Sequence, residues 1–342
     1  MGEDEAAVLL SRHIADDVPT PGLGRILVDA TPPVLMAQRM AEAFTPYRAR
    51  HIERVIKTFA PDAILFPQIS IFPKLVQAQA VITVGDVQHL VHPGNFALVD
   101  RLFRRAIYPY SFERAAIVLS MSVHTREQLI ELANVSAGKI RVVPLGAGVA
   151  AGSRAGVPVQ APYLYFPAAT NVHKGHDVLL RTFAAAVREH ALPHTLVLTG
   201  QQTTHWRTLK RQIAQLGIAD RVIHLGFVAR DTVGSLYAGA DAVVFPTRFE
   251  GFGLPVLEAA SAGAKVIASD LSVFEEVGAR GVLNIDFEDP RQLVSALAAE
   301  QRASLGEQAW TWERTARATL EALRDAGQGV SVGRGKWRRR TQ

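Results

Sequence analysis

The stretch FPTRFEGFGLPVLEAASAG, residues 245–263, carries the pattern that decides the fold. The apolar run AVVFP at 242–246 has the composition of a buried strand, and a glycine-rich loop containing Glu250 follows it. Pro255 then suits the first turn of a helix, where its missing N–H costs no hydrogen bond. A strand, a glycine loop and a helix start in this order leave backbone N–H groups free for an anion such as a phosphate.

Two acidic residues bracket this turn, Glu250 in the loop and Glu258 in the helix. On one unbroken helix they would stand about 12 Å apart, at 1.5 Å per residue. Because a loop intervenes, they can instead reach different hydroxyl-bearing parts of one ligand on either side of a bound phosphate. The structural alternative is a capping acid followed by a solvated helix acid, and for Glu258 alone the two interpretations stay open.

Apolar runs of strand length recur along the chain, separated by segments of helix length. They are rich in Val, Ile and Leu without strict alternation, which is typical of strands buried on both faces of a parallel sheet. The pattern predicts an α/β protein with two Rossmann-like, doubly wound parallel-sheet domains facing a cleft. The strand candidates are 26–30, 63–67, 80–85, 116–121, 140–144, 163–167, 195–200, 222–226, 242–246, 265–269 and 282–286, and helix candidates include 176–190, 204–216, 255–263 and 290–299.

The segment at 146–162, GAGVAAGSRAGVPVQAP, marks the predicted domain boundary, because it is rich in Gly, Ala and Pro and has neither helical nor strand periodicity. In open α/β sheets, ligands bind outside the carboxyl ends of the strands, so the loops that follow the strands are the expected site. We expect a first domain over 1–147, a linker over 148–162, a second domain over 163–325 with its closing helix near 307–325, and a basic tail over 326–342.

Composition excludes several classes of protein. The 342 residues are 48% hydrophobic and 20% charged, which is typical of a globular chain. The chain has no Cys, which excludes disulfides, cysteine-ligated metal sites and thiol nucleophiles. No apolar run approaches the roughly 20 residues that span a bilayer. The acidic start MGEDEAAVLLSRH lacks the layout of a signal peptide, so we expect a cytoplasmic protein.

The net charge of +5 comes from the end of the chain. The last twelve residues, SVGRGKWRRRTQ, hold five Lys or Arg and no acid, whereas the rest of the chain carries 32 basic and 32 acidic residues. A neutral body argues against a nucleic-acid partner. The tail, with Trp337 as an interfacial anchor, predicts peripheral contact with an anionic membrane at the inner face; a solvated terminus is the alternative.

Two further stretches carry candidate chemistry. Lys174 lies between a strand end and a helix start, again a place for an anion, although a loop lysine alone is weak evidence. Asp86, His89 and His92 follow the strand at 80–85 and have side chains that suit a metal or acid–base chemistry. Pro93 argues against a regular helical metal face, so we expect no metal here.

These stretches resemble the retaining, nucleotide-sugar-dependent glycosyltransferases of the GT-B fold, the glycosyl transferases group one family. The most specific likeness is the family's E-x7-E element, which is Glu250 and Glu258 in FEGFGLPVLEA. The likeness continues in YFPAATNVHKGHDVLL around Lys174, in TVGDVQHLVHP around Asp86 and in WTWERTARATLEAL near the end of the chain. It extends over about residues 45–325.

The resemblance implies an enzyme that moves a sugar, a hexose such as mannose or glucose, from a nucleoside diphosphate to a glycan or glycolipid acceptor. Transfer would proceed with retention, without a metal and without a cofactor other than the nucleotide-sugar co-substrate. By the same resemblance, Lys174 neutralises the donor diphosphate, Glu250 contacts the donor sugar and Glu258 contacts the ribose. The catalytic candidates are Glu250, Lys174 and Asp86, and the donor-binding candidates are Lys174, Gly226, Phe227, Arg248, Glu250, Gly251, Phe252, Gly253, Leu254 and Glu258.

The chain also departs from the family pattern. Gly85 stands where the family has a His, Ala169 stands where many members have Arg or Asn, and the glycines at 22–24 precede a strand instead of following one. A truncated or a diverged first half would each explain the missing loop. The departures favour an alternative, a non-catalytic homologue that binds a nucleotide or a partner protein in the same cleft. A nicotinamide dehydrogenase is disfavoured because no strand, G-x-G-x-x-G turn and helix occur together.

Overall fold

A computed structural model describes residues 7–11, 24–28, 31–45, 47–74, 78–148 and 159–328. The first half contains a two-stranded parallel sheet, β1 (Ala7–Ser11) with β2 (Gly24–Val28), and a four-stranded parallel sheet in the order β3-β4-β5-β6. The latter strands are β3 (Ala63–Phe66), β4 (Gln79–Val84), β5 (Ile117–Ser120) and β6 (Ile140–Val142). The helices are α1 (Pro32–Phe44), α2 (Arg50–Phe59), α3 (Gln88–Val91), α4 (Leu98–Arg114) and α5 (Val123–Ala133).

The second half is built on a six-stranded parallel sheet with the order β13-β11-β10-β7-β8-β9. Its strands are β7 (Tyr163–Pro167), β8 (Thr195–Thr199), β9 (Val222–His224), β10 (Ala242–Phe245), β11 (Val266–Ala268) and β13 (Leu283–Asn284), while β12 (Ala279–Arg280) and β14 (Ser304–Leu305) form an antiparallel pair. The helices are α6 (His176–His190), α7 (Trp206–Leu216), α8 (Arg230–Gly239), α9 (Leu254–Ser261), α10 (Val273–Glu276), α11 (Pro290–Ala298) and α12 (Trp312–Gln328).

The central strands are buried on both faces, as their apolar runs predict. In β7 and β10, Leu164, Val243 and Val244 have no exposed surface, and helices cover both sides of the sheet. Each of the eleven strand candidates overlaps a strand of the structure. Strand β1 was not predicted, because its run AVLLS is short and follows acidic residues, and the two-residue strands β12 and β14 were not predicted either.

The last helix completes the core of the first half. Ala322 and Ala326 of α12 are buried against Val81 and Leu119 of the four-stranded sheet. Small side chains here let the helix approach the strands closely. The chain following β6 is held against the start of this helix, since the N–H of Ala147 donates to the carbonyl of Trp310 at 2.9 Å.

The predicted closing helix near 307–325 thus corresponds to α12, which lies on the first sheet and continues to Gln328. The five basic residues of the predicted tail lie outside the described residues, as does most of the predicted linker. Within the described part of the chain, no helix combines the length and the apolar character needed to cross a membrane.

Candidate functional site

The order of strands in the second sheet creates a crevice between β7 and β10. From β7 the chain continues to β8 and β9 on one side, whereas β10, β11 and β13 lie on the other. The loops at the carboxyl ends of β7 and β10 therefore diverge, which is where open α/β sheets bind ligands. The Lys174 loop follows β7 and the Glu250 loop follows β10, so the topology brings the two predicted stretches together.

Lys174 and Glu250 form an ion pair in this crevice. The Lys174 Nζ donates to the Glu250 Oε1 at 2.7 Å, and their side chains are 21% and 13% exposed. A pair this well shielded from water is stronger than a surface pair. Two residues that the family resemblance predicts to contact one ligand thus contact each other.

Arg248 ties the two loops to each other. Its backbone N–H donates to the carbonyl of His173 at 2.8 Å, and its guanidinium makes two hydrogen bonds to the Asp177 carboxylate, at 2.9 and 2.8 Å. Burial alone would raise the pKa of Asp177, but the hydrogen bonds and the charge of Arg248 lower it. The guanidinium is committed to Asp177, so Lys174 is the cation of the crevice that faces Glu250.

Glu258 is held in place by Tyr237. The phenol of Tyr237 donates to the Glu258 Oε2 at 3.2 Å, and Tyr237 is itself buried. Burial raises the pKa of the Glu258 carboxyl, although the hydrogen bond from Tyr237 opposes this effect. Glu258 is therefore an oriented, half-buried acid, which argues against the solvated helix acid left open above.

The start of α9 presents unused hydrogen-bond donors. Gly253 precedes the helix with a left-handed backbone, φ 93°, and no side chain caps the first turn. Among the described residues, no hydrogen bond uses the backbone N–H groups of Gly251, Phe252, Gly253 or Leu254. Four consecutive N–H groups near an ammonium group and at a helix start make a site for an anion with several oxygens.

The Glu250 loop also meets the first domain. A Cβ on Gly251 would lie 1.9 Å from the carbonyl oxygen of Gly85 and 2.8 Å from the Cβ of Asp86, so only glycine fits there. The Asp86 Oδ1 accepts a hydrogen bond from the N–H of Gln88 at 2.9 Å, which fixes the turn after β4. The catalytic candidate Asp86 therefore lies directly against the loop that carries Glu250.

Two of the predicted donor-binding residues, Gly226 and Phe227, differ in the groups that they leave free for a ligand. The N–H of Gly226 donates to the His224 Nδ1 at 3.0 Å, and its carbonyl accepts from Gly200 at 2.8 Å. Both polar groups of Gly226 are thus used within the protein. Phe227 is 92% exposed, so its ring is the one available for contact with a ligand.

The three residues considered for a metal point to different partners. His89 packs edge-on against Tyr108 with ring centroids 4.8 Å apart, and burial together with Arg104 lowers its pKa to about 4. His92 packs against Phe249 at 5.5 Å, whereas Asp86 faces the N–H of Gln88. Within the described ranges, no group of three His, Asp or Glu side chains is arranged to hold a metal.

Residues 161–299 match the family model described as glycosyl transferases group 1. Over these residues the chain is similar to the glycosyl transferases group 1 family. The matched residues hold the crevice, including the Lys174 loop, the Glu250 loop and α9. The first half of the chain, with Asp86, lies outside the matched residues.

Curated relatives are similar in sequence to this chain over part of their length. The chain is 26% identical over 216 residues to the O-antigen chain mannosyltransferase RfbU of Salmonella typhimurium, covering 63% of this chain and 59% of that protein. It is 31% identical over 248 residues to the D-inositol 3-phosphate glycosyltransferase of Kineococcus radiotolerans, covering 61% and 57%. The chain thus spans less than two thirds of the length of these relatives.

Solved structures confirm the predicted GT-B fold. Anabaena Alr3699/HepE in complex with UDP and glucose aligns with a TM-score of 0.61 and 18% identity, over 90% of this chain and 82% of that one. WaaG, a glycosyltransferase involved in lipopolysaccharide biosynthesis, aligns with a TM-score of 0.59 and 16% identity, over 92% and 89%. Sequence identities this low show the fold alone.

Several residues that shape the crevice were not predicted from the sequence. Asp177, which binds Arg248, and Tyr237, which orients Glu258, carry no local pattern that separates them from ordinary helix residues. Ser122 and Thr125 of the first domain touch the Glu250 loop. Their local sequence is that of an ordinary helix start. Only the packing of distant segments reveals these four.

We predict that Gly251→Ala separates the Glu250 loop from the turn after β4 in the first domain. The added methyl would collide with the backbone of the first domain, and overpacking of this kind costs about 1–3 kcal/mol. Thermal unfolding and the radius of gyration in solution measure the effect. Gly94→Ala is the matched control, because a Cβ there meets nothing within 4 Å. Equal stability and equal size of the two variants would contradict the contact.

We also predict that His176 makes the second domain sensitive to acid. Its ring is 1% exposed and packs on Phe166, neither ring nitrogen has a partner within the described chain, and burial, its largest cause, lowers the pKa to about 3. The unfolded chain takes up a proton near pH 6.5 and the folded one does not, so stability falls as the pH drops below 6.5.

His176→Phe removes this titration and keeps a ring beside Phe166. Between pH 7.5 and pH 5.0, urea unfolding of the wild type is expected to lose about 2 kcal/mol more than that of the variant. His190→Phe, on the exposed last turn of the same helix, is the control and should follow the wild type. An unchanged pH dependence in His176→Phe would refute the assignment.

Proposed function

We propose that this protein is a glycosyltransferase that uses a nucleoside-diphosphate sugar and transfers the sugar to a glycan or lipid-linked acceptor. The observation that carries the proposal is the row of unused N–H groups at 251–254 beside the Lys174 ammonium. A diphosphate supplies both the negative charge and the many acceptor oxygens that such a row needs. The names of the matched relatives, a mannosyltransferase and a D-inositol 3-phosphate glycosyltransferase, support sugar transfer.

In this proposal the donor replaces the contact between Lys174 and Glu250. The ammonium turns from the carboxylate to the diphosphate, and the carboxylate becomes free to accept hydrogen bonds from the sugar hydroxyls. Glu258 already has one oxygen engaged by Tyr237, so its other oxygen is available for the ribose. The positive charge and the N–H dipoles then stabilise the negative charge that develops on the leaving diphosphate.

Asp86 lies against the Glu250 loop from the first domain. In this proposal its carboxylate is the second one near the transferred sugar. Retention of configuration, transfer without a metal ion and a hexose as the transferred sugar follow from the family resemblance and belong to the proposal. Peripheral membrane contact through the basic tail stays a prediction, which deletion of 331–342 and liposome sedimentation would test.

The second candidate function is nucleotide binding without transfer. Gly85 favours it, because the first domain meets the Glu250 loop there with a bare carbonyl and without the imidazole that the family has at this place. Binding and turnover therefore need separate measurements. Release of diphosphate from a bound nucleotide sugar supports the transferase, whereas binding with no release in the presence of glycan acceptors supports the second candidate.

We predict that Lys174→Ala weakens binding of a nucleoside diphosphate more than binding of the bare nucleoside. A hydrogen bond to a charged group contributes about 1.5–3 kcal/mol, so the diphosphate should lose roughly tenfold or more in affinity. A thermal-shift panel of UDP, GDP and ADP first identifies the base, since a ligand at 100 times its Kd stabilises the fold by about 2.7 kcal/mol. Calorimetry then compares the diphosphate with its nucleoside.

Lys210→Ala is the control for this experiment, because Lys210 is an exposed lysine of the same domain, on α7. It should leave both affinities unchanged. Equal losses for diphosphate and nucleoside in Lys174→Ala would place Lys174 away from the diphosphate. No stabilisation by any nucleotide or nucleotide sugar would overturn the proposed function.

A further inference from the structure

The first domain holds the Glu250 loop through two hydroxyl groups. The Ser122 Oγ donates to the carbonyl oxygen of Gly251 at 2.6 Å, and the Thr125 Oγ1 donates to the same oxygen at 3.0 Å. Both hydroxyl residues are buried, with 1% and 0% of their surface exposed. Buried hydrogen bonds are shielded from competing water, so they fix the carbonyl firmly.

These hydroxyls sit at the start of α5. The Ser122 Oγ also accepts the N–H of Thr125 at 2.9 Å, so one hydroxyl caps the helix and binds the loop of the other domain. The Thr125 hydroxyl has one proton to donate. Its oxygen lies nearer to the Gly251 carbonyl oxygen than to that of Gly85, which is 3.4 Å away, so Gly251 is the better acceptor.

A carboxylate from the second domain anchors the same helix turn. The two oxygens of Glu276, at the end of α10, accept the N–H groups of Val123 and His124 at 2.6 and 2.8 Å. A carboxylate at a helix N-terminus is favoured by the free N–H groups and by the helix dipole. The first turn of α5 is therefore bound at two places to the second domain and has little freedom to shift.

The geometry of the peptide bond carries this constraint to the anion site. The carbonyl of Gly251 and the N–H of Phe252 belong to one planar, trans peptide unit, so they point in opposite directions. Holding the carbonyl toward the first domain therefore aims the Phe252 N–H away from it. This N–H is one of the four unused donors at the start of α9.

We propose that Ser122 and Thr125 are positioning residues for the donor diphosphate: by holding the Gly251 carbonyl, they aim the Phe252 N–H at the phosphate. The inference rests on the proposed function of the crevice. It implies that the first domain raises the affinity for the diphosphate without touching it. Contact between the domains and diphosphate binding are then coupled, and each strengthens the other.

Thr125→Val and Thr125→Ser separate the hydroxyl from the methyl group. Valine keeps the shape of this buried side chain and removes the donor, whereas serine keeps the donor and removes a methyl. The diphosphate that the wild type binds, whether UDP, GDP or ADP, should lose about five- to tenfold in affinity in Thr125→Val, the equivalent of one hydrogen bond. The matching nucleoside should change less than twofold, and Thr125→Ser should stay within twofold of the wild type for both.

Nuclear magnetic resonance of the ligand-free protein supplies a readout that does not depend on nucleotide binding. With glycine-selective nitrogen-15 labelling, the amides of Gly251 and Gly253 report on the loop. In Thr125→Val their order parameters should fall from about 0.85 toward 0.6, and in Thr125→Ser they should not. Ser122→Ala is the second variant, in case Thr125→Val does not fold, and it should act in the same direction on both readouts.

The outcomes separate this inference from the proposed function. A rigid loop in Thr125→Val, or a mobile loop with unchanged diphosphate affinity, would overturn the positioning role. Equal losses for diphosphate and nucleoside would also overturn it, because they indicate general damage to the fold. If the wild type bound no nucleotide, the proposed function and the diphosphate part of the inference would both fail, while the loop measurement would still decide whether the hydroxyls hold the loop.

Discussion

The candidate site depends on the place where two backbones meet with no side chain between them. At Gly251 the loop after β10 approaches the carbonyl of Gly85 so closely that a Cβ would lie 1.9 Å from the oxygen. This approach brings the Gly251 carbonyl within reach of the Ser122 and Thr125 hydroxyls, and it brings Asp86 against the Glu250 loop. A side chain at position 251 would force these two backbones apart and so disturb all of these contacts together.

The charges of the crevice are paired with one another. Glu250 forms an ion pair with the Lys174 ammonium, and Asp177 forms one with the Arg248 guanidinium. The pairing satisfies half-buried charges that would otherwise be costly to shield from water. The two ion pairs differ in how easily a ligand can replace one partner. The Arg248 pair is bidentate and links two loops. The Lys174 pair is a single hydrogen bond next to unused N–H groups. In the proposed function, the diphosphate competes for Lys174 and leaves the Arg248–Asp177 link between the loops intact.

Local patterns predicted most of the second domain. Long apolar runs located the strands, and the glycines and Pro255 located the start of α9, because these features act within a few residues. Contacts between segments more than a hundred positions apart were not predictable: the pairing of Glu276 with the start of α5, and of Ser122 with Gly251, depends on how two domains pack. The run SVHT at 122–125 indicates only a helix cap. It does not indicate that the Ser122 hydroxyl also binds the second domain.

Packing requires a glycine at position 251 but does not require one at position 85. A Cβ at position 85 would meet only the side chain of Met121, at 3.6 Å, which is an ordinary contact. Packing therefore permits a Cβ at position 85, so a clash at this first side-chain atom does not account for the glycine found where the family resemblance implies a histidine. In the proposed reaction, polar contact with the transferred sugar then falls to Asp86 and Glu250, two carboxylates on opposite domains.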